Sequence, residues 1–410
     1  MHSKLHQARR RRLIFAALAG IACGPAVAQQ HGEHQHGAAG GKKRAELGIS
    51  AAVDAKSTIW VVSRDSAGAA PFLALQSSAD GGRSWSPARQ LATEAVAAGG
   101  ESRPKIAFGR QGEIFVAYTR PIAPPHVGDI RFIRSTDGGR TFSPPATVHA
   151  HREVTVHSFE SMIVDGDGRI FIAWVDGRDA DAAKARKERY AGSAIYYAVS
   201  DDAGASFKGD YKLADHSCEC CRIGLALNRQ GRPVALWRHI FAPNIRDHAM
   251  AELHADGAAS PLVRASFDDW RVDACPHQGP ALAFAEDGTR HQVWFNGNEA
   301  GQAGVQYAAV APGGTWPKPA PLGSAQAAQA DIAVQGKRIA IAWKQFDGAA
   351  TSILSRLSDD GGATWREQSL ASTSGDSGKP YLVTAPSGIV MVWRTALEGI
   401  RVATVGGEKA

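Results

Sequence analysis

The chain has no apolar run long enough to cross a membrane, little charge of one sign, few cysteines, and little helical periodicity. Its main apolar run covers only residues 13–23, about half of the ~20 residues that a spanning helix needs. Formal net charge is +6 in 410 residues, but residues 1–28 hold Lys4 and Arg9, Arg10, Arg11 and Arg12 with no acid. The remainder therefore carries +1, which leaves no basic surface to argue for nucleic acid. The four arginines, the short apolar run and Ala26-Val27-Ala28 together read as a secretory signal peptide over residues 1–28, cleaved near Ala28. Arg10-Arg11-Arg12-Leu13-Ile14 fits twin-arginine export, and Cys23 is a poor lipidation site because Gly20 and Ile21 precede it. A periplasmic or secreted protein is expected. Of five cysteines, four remain after cleavage, so two disulfides are the default expectation in an oxidising compartment.

One short motif is present four times. It reads Ser78-Ala79-Asp80-Gly81-Gly82-Arg83-Ser84-Trp85, and recurs at residues 135–142, 200–207 and 358–365 as S-x-D-x-G-x-[ST]-[WF]. The carboxylate can accept backbone N–H bonds inside a tight turn, the glycine can take positive φ, and the aromatic can pack back between sheets. Between copies lies an alternating apolar strand, a Gly or Asp turn, and a second strand ending in an aromatic. These aromatics are Tyr118, Trp174, Trp237, Trp294, Trp343 and Trp393, spaced 49 to 63 residues apart. Period-2 alternation with short turns means antiparallel hairpins. Four strands per repeat make a propeller blade.

The expected fold is all-β, a β-propeller of four-stranded antiparallel blades, with seven repeat units counted and six as the alternative. Degenerate turn motifs are placed near Ala255-Asp256-Gly257 and at residues 311–316, and a weaker first repeat runs from Ile49 to Val62. The last repeat, from Tyr381, lacks a fourth strand, which an N-terminal segment could supply. The insertion at residues 178–191 reads as a short surface helix. Residues 29–46 form a His/Gly-rich linker and residues 47–405 the propeller.

The repeated motif is the Asp box, and over nearly the whole mature chain the pattern resembles the sialidases and related propellers, a family with six blades. That resemblance implies an arginine clamp for a substrate carboxylate, a Tyr–Glu nucleophile pair and an acidic Asp. The family's Phe-Arg-Ile-Pro landmark is absent; Ser102-Arg103-Pro104 is its nearest echo. Arg238 and Arg394 each follow a blade aromatic, Glu160 opens an inner strand, and Asp129 is the candidate acid. Each also reads as an ordinary charge at a strand end. No tyrosine matches the nucleophile's context, Tyr381 being the nearest.

A second constellation is His216-Ser217-Cys218-Glu219-Cys220-Cys221, followed by Cys275-Pro276-His277. Aligning repeats on Trp237 and Trp294 puts Cys218 and Cys275 in one position, and Cys220 and His277 in another; His157 falls in that position one blade earlier. Cys218, Cys220, Cys221, Cys275, His277 and His157 are thus expected at one channel mouth, with His216 or Glu160 at the margin. Thiolates with imidazole suit Cu(I), with Zn(II) as the alternative. A Cys218–Cys275 staple between blades satisfies the same alignment, so a metal or redox-active site and two structural disulfides both stand. Cleavage after Ala28 would also leave Gln29-Gln30-His31, a free amine with His third, which can enclose Cu(II), followed by further histidines at 34 and 36.

Three functions follow from these residues: an exported copper-handling protein, an exo-glycosidase of the sialidase type, or a propeller binding carbohydrate or protein with disulfide-locked blades. The expected partners are a metal ion or small sugar ligand, with a periplasmic protein as a further candidate.

Overall fold

The structure is a computed structural model that describes residues 46–65, 71–123, 126–274, 276–298 and 303–407. The signal segment, the His-rich tract with His31, and Cys275 lie outside them. Residues Lys43–Ala410 form one compact unit, and no described helix is long and apolar enough to cross a membrane.

Seven antiparallel sheets follow one another along the chain, each built in sequential strand order. Blade 1 opens with Ile49–Val53, blade 2 with Lys105–Phe108, blade 3 with His157–Val164 and blade 4 with Gly224–Leu227. Ala281–Phe284, Ala327–Gln335 and Tyr381–Ala385 open blades 5 to 7. Each of these first strands packs against the first strand of the next blade, and Tyr381–Ala385 packs against Ile49–Val53. The first strands therefore line the axis of a seven-bladed propeller.

The seventh sheet has three strands among the described residues. The N-terminal segment expected to complete it lies outside the described residues; the first described strand opens blade 1, as the repeat from Ile49 implies. A local device sets this first hairpin. Asp54 accepts N–H bonds from Lys56 and Thr58, both at 2.9 Å, folding Ile49–Val53 back onto Ile59–Asp65 as a hairpin. The ring closes through side chains: Ile49, Ala51 and Val61 share one apolar cluster with Ala385, Val390 and Val392.

The repeated turn motif is built the same way in all four copies. In the first, Asp80 Oδ1 accepts from Ser84 N at 2.9 Å and from Ser78 Oγ at 2.8 Å, and Ser78 Oγ accepts from Gly82 N at 2.8 Å. Gly82 has φ +89°, where an L side chain is strained and would also strike Val402. The Ser84 hydroxyl and N–H hold the Asp80 carboxyl far below its ordinary range. Each closing aromatic then packs into the seam with the preceding blade: Trp85 between blades 7 and 1, Phe142 between 1 and 2, Phe207 between 2 and 3, Trp365 between 5 and 6. The degenerate copies still turn, with Gly257 at φ +76° and Gly313 at φ +69°. The spacing aromatics Tyr118, Trp174, Trp237, Trp294, Trp343 and Trp393 are at most 1% exposed and wedge the seams. Of the insertion, Arg178–Ala185 is helical, with Ala183 buried against the blade.

Candidate functional site

In this topology the loops entering each first strand, and those joining second to third strands, gather at one face. The four repeated turn motifs join third to fourth strands at the other. Every candidate residue among the described ones falls on the loop face or the axis, and three separate groups result.

The first group is the cysteine loop between blades 3 and 4. Cys218 N donates to Arg238 O at 2.9 Å and Ile240 N to His216 O at 2.7 Å, which pins the loop to the end of strand Pro233–Arg238. Gly192, at φ +67°, passes so close that a Cβ there would lie 2.0 Å from Ser217 O. Cys218, Cys220 and Cys221 are all buried, in an apolar cluster with Phe159, Tyr197, Ile223 and Trp237. Cys218 Sγ lies 3.6 Å from Cys220 Sγ and 3.5 Å from Cys221 Sγ. Those separations far exceed a disulfide's ~2.05 Å, so neither pair is bonded. All three sulfurs fall within 4.8 Å of one another. Hydrogen bonding to Cys218, then burial, pushes the Cys221 thiol up to about 12.

His157 is not placed in this group. It joins Asp129 and His149 in a second cluster at the seam of blades 2 and 3. His277, half-buried at φ +49°, faces the ring of His126 at 6.0 Å, and His126 packs on Phe159 at 4.7 Å. His216 is exposed, its Nδ1 3.2 Å from Ala191 O. Phe159, His126, His216 and His277 all have positive φ without being glycine, a concentration of backbone strain around one mouth.

The third group lies on the axis. Glu101 Oε2 accepts from Arg222 Nη1 at 2.8 Å, Lys379 Nζ at 2.6 Å and Gly279 N at 3.2 Å, joining blades 2, 4, 5 and 7. Burial alone would raise the Glu101 carboxyl, but Lys379 and Arg222 bring it down to about 2. Burial, with Arg222 nearby, takes the Lys379 ammonium well below its ordinary value. The two shifts pull against each other as a Lys–Glu pair. Arg222 Nη1 and Gly279 N also donate to the same carboxylate oxygen, so an ionised Glu101 is the firmer of the two. Beside them Arg103 stacks over Tyr381 at 4.6 Å, with Arg103 Nε lacking a hydrogen-bond partner. Lys105 Nζ donates to Arg103 O at 2.7 Å and lies 3.8 Å from Glu160, which accepts from Thr119 Oγ1. Burial pushes the Glu160 carboxyl up and the Lys105 ammonium down.

Arg103 and Glu160 thus reach the axis, while Arg238, Arg394 and Asp129 do not assemble with them. Arg238 donates to Arg246 O, Gln278 O and Phe295 O, at 2.8, 3.1 and 2.8 Å. Arg394 donates to Arg64 O at 2.6 Å. In both cases the arginine after a wedge aromatic straps the second strand of the next blade. Glu101, Arg222 and Lys379 escaped sequence reasoning. A usable signal existed: Arg222 stands as far before Trp237 as Arg103 before Tyr118. A cleft of about 580 Å³ lies on the face of the repeated turns between blades 3 and 4, lined by Asp167, Arg169, Gln230, Arg232 and His254, away from all three groups.

No protein-family model matches the chain, and no curated protein matches it. Among solved structures it is similar to an ulvan lyase of polysaccharide lyase family 25, at TM-score 0.56 and 10% identity over 89% of this chain and 94% of that one. It is also similar to a protein of unknown function from Dyadobacter fermentans (TM-score 0.49, 14% identity, 74% of this chain, 92% of that one). A Hadza microbial sialidase matches at TM-score 0.48 and 14% identity, over 82% of this chain and 74% of that one. The likeness is one of fold. The chain shares a β-propeller architecture with the ulvan lyase.

Proposed function

We propose that this protein is an exported propeller that binds a soft metal ion, copper(I) by preference, through Cys218, Cys220 and Cys221. The observation that carries the reading is the sulfur geometry. Thiolates sharing one tetrahedral ion at ~2.3 Å sit ~3.8 Å apart, and the two separations here are 3.6 and 3.5 Å. Three sulfurs with no carboxylate among them select a soft, thiophilic ion. The apolar shell around them keeps water and oxidants away from a bound Cu(I). Cys275 holds the repeat position of Cys218 one blade on and is the candidate fourth ligand. His31 and its neighbouring histidines suit Cu(II), so the protein sequesters copper or presents it to a periplasmic partner.

Anaerobic titration of the mature protein with Cu(I) against a chromophoric Cu(I) chelator tests this. One Cu(I) per chain should resist the chelator in wild type, with at least 100-fold weaker retention in Cys220→Ser. Equal loss of copper from both proteins contradicts the reading.

A second reading rests on the axis, where Arg103, Lys105, Arg222 and Lys379 converge. The ulvan lyase neighbour is bound to a glucuronate–sulfated rhamnose saccharide, and an anionic sugar is the class that such a cationic lining would take. Binding or cleavage of uronate and sialate glycosides, lost in Arg103→Ala and kept in Arg394→Met, supports it. No binding across that panel removes it.

A further inference from the structure

The cluster at the seam of blades 2 and 3 is separate from the cysteines and has a different donor chemistry. His149 follows the short strand Ala146–Thr147, His157 opens blade 3, and Asp129 lies in strand Val127–Ser135. The two imidazoles are fully buried and stack at 3.9 Å between centroids, 12° from parallel. Each has its Nδ1 on a backbone carbonyl, His149 on His151 O and His157 on Gly128 O at 3.1 Å. An Nδ1–H donated to a carbonyl leaves Nε2 as a lone-pair donor, the arrangement that orients metal-binding histidines.

His149 Nε2 is the decisive atom. It is buried, has no hydrogen-bond partner, and lies 3.6 Å from Asp129 Oδ1. A buried imidazole nitrogen without a partner is costly unless something occupies the space before it. Two ligands of one tetrahedral ion at ~2.1 Å sit ~3.4 Å apart, close to that separation. A frame of charges holds the loop in place. Asp210 accepts from Ala150 N at 2.8 Å and His151 N at 3.0 Å, and Arg178 bridges Asp210 and Asp176 at 2.8 and 2.6 Å. His151 Nδ1, 3.3 Å from His157 Nε2, is the nearest further donor.

We propose that His149, His157 and Asp129 form a second metal site, for a divalent ion of borderline hardness such as Zn(II) or Cu(II), distinct from the thiol site. Imidazole and carboxylate suit a divalent ion, where three thiolates suit a monovalent soft one. The chain then carries two sites of different softness on one face, at neighbouring blade seams.

The test uses Co(II) alone as a visible-spectrum probe on the mature full-length protein. Wild type, His149→Gln, Asp129→Asn and Cys220→Ser are compared by equilibrium dialysis and absorbance. The quantity read is the binding lost relative to wild type, so the N-terminal histidines cancel. At least tenfold weaker binding of one Co(II) in His149→Gln, with d–d bands free of sulfur charge transfer and unchanged in Cys220→Ser, supports the site. Thermal melts check folding, and Asp129→Asn serves if His149→Gln fails to fold. Co(II) binding equal to wild type in the folded variant overturns it. So does loss of all binding in Cys220→Ser, which would assign the metal to the sulfurs. A structural His–Asp network predicts the first of these two results.

Discussion

Arg222 and Glu101 are 121 residues apart in the chain and 2.8 Å apart across the axis, where their ion pair ties blade 4 to blade 2. Both side chains are almost completely buried. Removing one partner leaves the other charge uncompensated in a low-dielectric interior, at a cost of about 3–5 kcal/mol. Glu101→Gln should therefore lower stability by that order in guanidinium denaturation. The sign with pH is fixed as well. Glu101 has its folded pKa lowered from 4.5 to about 2, so its contribution is complete above about 4.5 and is lost as pH falls toward 2.

Histidines act in an earlier window. Burial lowers His239 and His291 to about 4, against 6.5 when unfolded, and takes His248 well below its ordinary value. Below 6.5 the unfolded chain takes up protons that the folded one refuses, so stability falls from there downward. Melting temperature followed from pH 7 to 4.5 should drop before Glu101 titrates. The slope should be shallower in His291→Gln.

The wedge tryptophans differ in one testable respect. Trp174 Nε1 donates to Asp176 at 2.7 Å, whereas Trp343 Nε1 is buried without a partner. Truncation of either to alanine should cost about 3–5 kcal/mol. Replacement by phenylalanine should separate them, with Trp174→Phe the more damaging by ~1–3 kcal/mol because Asp176 is left short of a donor. Equal losses in urea denaturation would contradict the assignment.

Arg238 and Arg394 are straps between blades, and their replacement should be read in stability. Arg238→Met leaves three carbonyls without their donor and should cost roughly 3 kcal/mol; Arg394→Met, with one such bond, should cost roughly 1–2 kcal/mol. Neither should alter metal stoichiometry at the cysteines.

The propeller was legible because its devices are local. Ser78, Asp80 and Gly82 make their bonds within a few residues, and Trp85 marks the seam, so four copies and six aromatics carry the repeat count. Blade 7 reads in the sequence as one strand short, and it has three strands among the described residues; the segment expected to supply the fourth lies outside them. Cys218, Cys220 and Cys221 meet because they lie within four residues. The repeat offset, which aligned His157 with Cys220, carries no side-chain direction, and His157 meets Asp129 and His149 instead. His149, His151 and His157 lie within nine residues, and that spacing was the readable signal. Glu101 meeting Arg222 and Lys379 was not readable, since seven strands converge on the axis and nothing local says which side chains meet.

X-ray absorption at the copper edge of the mature, Cu(I)-loaded protein tests the central claim most directly. The expected result is a first shell dominated by sulfur at roughly 2.3 Å, reduced in Cys220→Ser. A shell of nitrogen and oxygen alone, the same in wild type and Cys220→Ser, would contradict it.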